Sequence, residues 1–202
     1  MKVGKSIMKA IDEWENEDFE SAILHACNAI DGTAKKAYPT LHSKDRFTRF
    51  LRENYFILGP MGAPGIDLIN TRFAVPIKTS NGKPDIADVI YCIHRCTHGH
   101  GDELPEGFEL VPDAKQTSGL TTMVFENGKT RLSDRIIFGL CAVAVLSPHN
   151  SDQSVSDGYF LTFGHSAKLM INEWWGRSDE FPAIAALEPM PLIKLDFGDW
   201  MT

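Results

Sequence analysis

The segment Cys92-Ile93-His94-Arg95-Cys96-Thr97-His98-Gly99-His100-Gly101-Asp102-Glu103 concentrates groups that can do chemistry. It holds three of the seven histidines, one arginine, two cysteines and two acids. A hydrophobic core has no use for that density of titratable side chains. Two chemistries fit the residue types. Imidazole and thiolate are good zinc ligands, and Cys92, Cys96, His98 and His100 supply four of them. Their intervals match no paired zinc-finger spacing, however, and no distant pair completes a structural site, so a metal centre is the weaker expectation. The other chemistry is metal-free acid–base work on a phosphodiester. A guanidinium is permanently charged and matches phosphate oxygens. An imidazole titrating near about 6.5 can take the proton of a ribose 2′-hydroxyl or return one to the leaving oxygen. Arg95 and His100 are the pair read as converging on one phosphate, and no metal or other cofactor is expected.

These groups must be carried by something, and the preceding residues read as a helix. Asp85 can accept hydrogen bonds from the first free amides of a helix beginning at Ile86. Ile86, Val89, Ile90 and Ile93 then share one face, while Asp88, Tyr91 and Arg95 share the opposite one. Gly99 and Gly101 are expected to end it. Upstream, helices fit before about Asn16 and from about Asp18 to Tyr38, where Phe19, Ile23, Cys27, Ile30 and Ala34 recur at steps of three and four. A third fits Lys44 to Ile57, stopped by Gly59-Pro60. The Gly/Pro-rich stretch Met61 to Asp85 reads as a connection with one short strand at Arg72 to Ile77.

Downstream, Phe108 to Val111, Thr121 to Glu126 and Lys129 to Leu132 look extended, with Asn127-Gly128 as a hairpin turn between the last two. Ser133 can cap a helix through Leu146 that is apolar almost all round and hence central. Tyr159 to Phe163 reads as a strand and Ala167 to Trp175 as a last helix. The expectation is a mainly α chain with a small β-hairpin or sheet insertion: one domain over 1–176, its β excursion at about 108–132, and a C-terminal extension over 177–202.

Arg95-Cys96-Thr97-His98-Gly99-His100 resembles the Arg-x4-His motif of the HEPN family, and Gly101-Asp102-Glu103-Leu104-Pro105 resembles the continuation seen in many bacterial members. The resemblance covers the helical segments from about Ser6 to His100 and Ser133 to Leu146. It implies a HEPN-like helical bundle that dimerises with two motifs facing each other. In active members it implies a metal-independent endoribonuclease leaving a 2′,3′-cyclic phosphate, common in toxin–antitoxin and antiviral defence systems, so a cognate antitoxin or defence partner is expected too. On this resemblance Arg95 is the phosphate-contacting arginine and His100 the catalytic histidine, with His98 a secondary candidate. Cys96 stands where active members carry Asn, Asp or His. That departure motivates the alternative of a catalytically silent HEPN-like module binding RNA, a nucleotide or a protein.

Substrate binding has its own signal. Lys35, Lys36, Lys44, Arg46, Arg49 and Arg52 crowd one stretch with Asp45 as its only acid, a local positive patch able to position an RNA backbone. Asp31, Asp88 and Cys96 are candidates to orient Arg95; a surface Asp88–Arg95 pair is the bland version of that contact. The whole chain is acidic, with 27 Asp plus Glu against 20 Lys plus Arg and a formal net charge of −7. Any polyanion site must therefore be local. The longest near-apolar run, Ile136 to Leu146, is far short of the roughly 20 residues that span a bilayer. No signal-like start and four cysteines in largely apolar settings point to reduced thiols in the cytoplasm.

Overall fold

The computed structural model describes residues 2–73, 75, 77, 79, 82–100, 108–113, 124–126, 129–164 and 167–195, with side chains of 96–100, 125, 126 and 129 excepted. Eight α-helices and five strands lie among them. The chain opens with α1 (Val3–Glu15) and α2 (Phe19–Ala37), which pack against each other. Asp18 caps α2 by accepting from the Ser21 amide at 3.0 Å, and Ile23, Ala26, Cys27, Ile30 and Ala34 of the predicted stripe are buried, while Phe19 at its start is half-buried.

The third predicted helix is two. α3 (Ser43–Glu53) ends at Asn54, and α4 (Tyr55–Gly62) follows with Pro60 inside it. Gly59-Pro60 therefore does not stop the helix. Tyr55, Ile57, Leu58 and Met61 are all buried there, and packing of four large side chains outweighs the one backbone bond Pro60 cannot donate. The described residues between Arg72 and Ile77 form no strand; positions 74 and 76 lie outside the described residues. Phe73 is instead fixed by its amide donating to Pro84 O at 2.8 Å.

α5 (Ile86–His100) leads to a three-stranded sheet ordered β1 (Phe108–Val111), β3 (Lys129–Ser133), β2 (Val124–Glu126). β2 and β3 pair antiparallel with Glu126 opposite Lys129, the register an Asn-Gly hairpin sets. β1 joins β3 in parallel. Ser133 Oγ accepts from the Arg135 amide at 3.0 Å at the start of α6 (Arg135–Leu146). Apolar on nearly every side, α6 is buried from Leu140 to Leu146 without a break and packs on α1, α2 and α4. α4 and α6 cross at glycines: a Cβ on Gly139 would lie 2.7 Å from Gly62 Cα.

β4 (Phe160–Phe163) pairs antiparallel with β5 (Ala167–Met170), so the predicted helix over Ala167–Trp175 is strand first, with only α7 (Ile171–Trp174) helical. Gly164, at φ +54°, starts the reversal between the strands, and pairing with β4 overrides the local helical pattern. The stretch after Arg177 is docked on the body. Phe181 of α8 (Phe181–Ala185) is fully buried against Phe163, with ring centroids 5.8 Å apart. Ile193 exchanges backbone bonds with Gly65 and Asp67. No helix among the described residues is long and apolar enough to cross a membrane.

Candidate functional site

Asp85 caps α5 as predicted, accepting from the Asp88 amide at 3.0 Å. Ile86, Val89, Ile90 and Ile93 are buried, and so is His94, which stacks on Phe47 of α3 at 5.2 Å and 12°. Tyr91 meets the same Phe47 ring edge-on at 5.5 Å. His94, beside the motif, is thus a packing residue.

α5 does not end at Gly99. It runs to His100, because glycine weakens a helix without forbidding it. This changes the geometry of the motif. On a continuous helix, positions 95 and 100 are about 140° apart around the axis and about 7.5 Å apart along it, whereas positions 95 and 98 are only about 60° apart. The backbone thus sets position 98, rather than 100, on the face of Arg95. The side chains of Cys96, His98 and His100 lie outside the described residues.

Arg95 itself is exposed and has no hydrogen-bond or ion-pair partner among the described residues. Every other arginine has one. Arg46 binds Asp31 at 3.0 Å, Arg49 binds Glu53 at 2.9 Å, Arg131 binds Glu109 at 2.9 Å and Arg177 binds Glu180. Arg72 and Arg135 donate to main-chain carbonyls, and Arg52 is held by two aspartates. Asp31 and Asp88, proposed to orient Arg95, are therefore engaged by Arg46 and Arg52. The predicted basic patch is largely neutralised: Lys36 Nζ also contacts Asp152 at 3.3 Å and Asn150 Oδ1 at 3.1 Å. Lys35 and Lys44 are exposed, with side chains that make no bond among the described residues.

The Arg52 clamp is the feature sequence reasoning missed. Its guanidinium reaches Asp85 at 2.7 and 3.1 Å and Asp88 at 2.9 Å, joining the end of α3 to the start of α5. Burial pushes the Asp85 carboxyl up, but the Arg52 hydrogen bonds, the Asp88 amide and the guanidinium charge outweigh it and hold the group below its ordinary value. Burial and the neighbouring Asp85 charge raise Asp88 instead. Two carboxylates share one cation, and the nearer, doubly bonded one keeps its charge more readily. Tyr55 closes the cluster, its hydroxyl accepting from the Ala87 amide at 3.2 Å while burial pushes its phenol up. The one available sequence signal is the Asp-x-x-Asp spacing at a helix start.

This clamp floors a polar cavity of about 550 Å³ that Lys44, Thr48, Arg72 and Lys83 also line. Arg52 meets Asp85 and Asp88 while Phe47 meets His94, so α3 and α5 run antiparallel. Lys44, eight residues before Arg52, therefore rises about 12 Å along α3, and Arg95, seven after Asp88, about 10.5 Å along α5. Seven residues also return to the same helix face within about 20°. Lys44 lines the cavity, and Arg95, which does not, lies at a similar height on α5; neither cation has a partner among the described residues. Among the described residues no group of three or more His, Cys, Asp or Glu side chains could hold a metal ion.

The chain is similar along nearly its whole length to mycobacterial proteins. It is 39% identical over 202 residues to "Uncharacterized protein Rv1289" of Mycobacterium tuberculosis (strain ATCC 25618 / H37Rv), covering 98% of this chain and 95% of that one. The same identity and coverage hold for "Uncharacterized protein Mb1320" of Mycobacterium bovis (strain ATCC BAA-935 / AF2122/97). No solved structure matches. The family model described as Rv1289 matches residues 2–201, and the chain belongs to the Rv1289 family.

Proposed function

We propose that the chain binds RNA at the α3–α5 end marked by Arg95 and Lys44 and cleaves it without a metal, as the HEPN resemblance implies. The observation that supports this most is the state of Arg95: among eight arginines it alone, among the described residues, is unbonded and exposed. In the reaction an imidazole takes the proton of the ribose 2′-hydroxyl, and the 2′-oxygen attacks phosphorus. The bond to the 5′-oxygen breaks, a proton is returned to that oxygen, and a 2′,3′-cyclic phosphate remains. Arg95 stabilises charge on the non-bridging oxygens. Position 98 supplies the imidazole on Arg95's own face. His100, about 140° away on the helix, suits a site completed by a second copy. A homodimer in the cytoplasm, partnered by an antitoxin or defence component, is part of this reading.

The test is cleavage of single-stranded RNA in EDTA by wild type, Arg95→Ala, His98→Ala and His100→Ala. Removing an acid–base group should lower the rate by about 10²-fold or more. Equal cleavage by all four proteins, or loss of activity on adding chelator alone, refutes the nuclease. A catalytically silent module that binds RNA or a nucleotide is the second reading, favoured by Cys96 and by the angular offset of positions 95 and 100. It predicts binding that Arg95→Ala weakens, with no cyclic-phosphate product.

A further inference from the structure

A second cavity, of about 380 Å³, opens where the C-terminal end of α1 meets Phe138 of α6 and the residues leading into β4. It shares no lining residue with the cavity at Arg52. Four aromatic rings line it: Trp14, Phe138, Tyr159 and Phe160. Asp12, Glu15 and Asp157 supply its only charges, and among the described residues no lysine, arginine or histidine lines it.

The walls are built rather than incidental. Trp14 donates its indole N–H to Asp134 at 2.8 Å and packs edge-to-face on Phe138, with centroids 4.8 Å apart. Tyr159 donates its hydroxyl to Asp12 at 2.5 Å, tying the lead-in to β4 to α1 across the cavity. That bond engages Asp12, but Glu15 is exposed and makes no hydrogen bond or ion pair among the described residues. Among the described residues Asp157 accepts only a 3.4 Å contact from Asn172. An ammonium already uses one of these rings: Lys168 Nζ lies 3.8 Å from the centroid of Phe160. Aromatic faces and carboxylates both attract a cation, and the three lining carboxylates outnumber the one ammonium, that of Lys168, beside the wall.

We propose that this cavity binds a small alkylammonium compound, its nitrogen toward Glu15 and Asp157 and its carbon chain against Trp14 and Phe138. The volume suits a ligand at the small end of the usual range. Primary ammonium hydrogens would donate to both carboxylates with the full charge attraction, whereas an uncharged alcohol of equal length offers a single neutral donor.

The test is isothermal titration of the full chain with 1,5-diaminopentane, and with 1-pentanol as the uncharged control. Saturable diamine binding at millimolar concentration or below is expected, with none for the alcohol. Glu15→Gln should weaken it by about two- to fivefold, as for a solvent-exposed ion pair. Phe138→Leu, which keeps an apolar wall and removes the ring, should weaken it by a similar factor. Near-ultraviolet circular dichroism, reporting Trp14 in its site, checks that both variants are folded. Asp157→Asn replaces whichever is not. Absence of saturable diamine binding, equal binding of the alcohol, or wild-type affinity in a folded variant overturns the proposal. Neither result depends on whether the chain acts on RNA.

Discussion

Replacing Arg52 by methionine should destabilise the protein, and the loss should depend on pH in a specified direction. In the wild type Arg52 makes three charge-assisted hydrogen bonds to Asp85 and Asp88, whose side chains are only 11% and 10% exposed, while its own is 42% exposed. A fully exposed pair is worth about 0.2–1 kcal/mol and breaking a fully buried one costs about 3–5 kcal/mol. With the cation partly solvated and the anions not, about 2 kcal/mol is the expected loss at neutral pH. For a chain of this length that is a Tm lower by about 4–8 °C. The lowered Asp85 carboxyl contributes stability above its unfolded pKa, and this is lost as pH falls through its folded value. In Arg52→Met the guanidinium's hydrogen bonds and charge are gone while the two helix-start amides still donate, so burial and mutual repulsion raise both carboxyls relative to the wild type and make their ionisation more destabilising. Acidification therefore removes the Asp85 contribution from the wild type, offset in part by relief of its raised Asp88, and relieves the variant at both carboxyls. The Tm difference should be largest near neutrality and should shrink as pH approaches about 4, the ordinary carboxylate range. Calorimetry of both proteins across that range is the assay. Arg52→Met combined with Asp85→Asn and Asp88→Asn should recover much of the neutral-pH loss, since the charges are gone and an asparagine side chain at position 85 still caps the helix. A Tm like that of wild type at neutral pH, or a deficit of the same size at both ends of the range, would refute the reasoning.

Two further outcomes bear on the fold. Gly139→Ala places a methyl 2.7 Å from Gly62 Cα and 2.9 Å from Gly62 N, main-chain atoms that cannot turn aside, so denaturant titration should give a loss of about 1–3 kcal/mol. Asn150 is completely buried, its amide donating to Thr33 Oγ1 and to Ala144 O, each at 2.8 Å. Asn150→Leu leaves both acceptors without that donor and should cost about 1–3 kcal/mol per stranded group, read in the same titration.

Local pattern carried the helices with a continuous apolar stripe. α1, α2, the start of α5 and α6 are where spacing and caps place them, and so is the antiparallel pairing of β2 with β3, since each is decided by residues within a few positions. The departures come where distant packing decides. Residues 167–170 have a neighbour in β4 that no local window contains. Pro60 stays helical because the buried side chains around it hold the turn. The site divides the same way. The exposure of Arg95 was legible from its place on the polar face of α5. The clamp was not, since Arg52 lies 33 and 36 residues from its two partners. Likewise, Asp31 and Arg46 find each other only once α2 and α3 are packed.

That internal pairing of arginines changes how any polyanion would be held. Lys36, Arg46, Arg49 and Arg52 are each matched by a carboxylate of the protein, which leaves Lys35, Lys44 and Arg95 to displace the ion atmosphere of a single strand. At about 0.7 released counterions per neutralised phosphate, about three such contacts give a logarithmic salt slope of about −2, where about seven would give about −5. Association with RNA through this face would therefore vary gently with ionic strength.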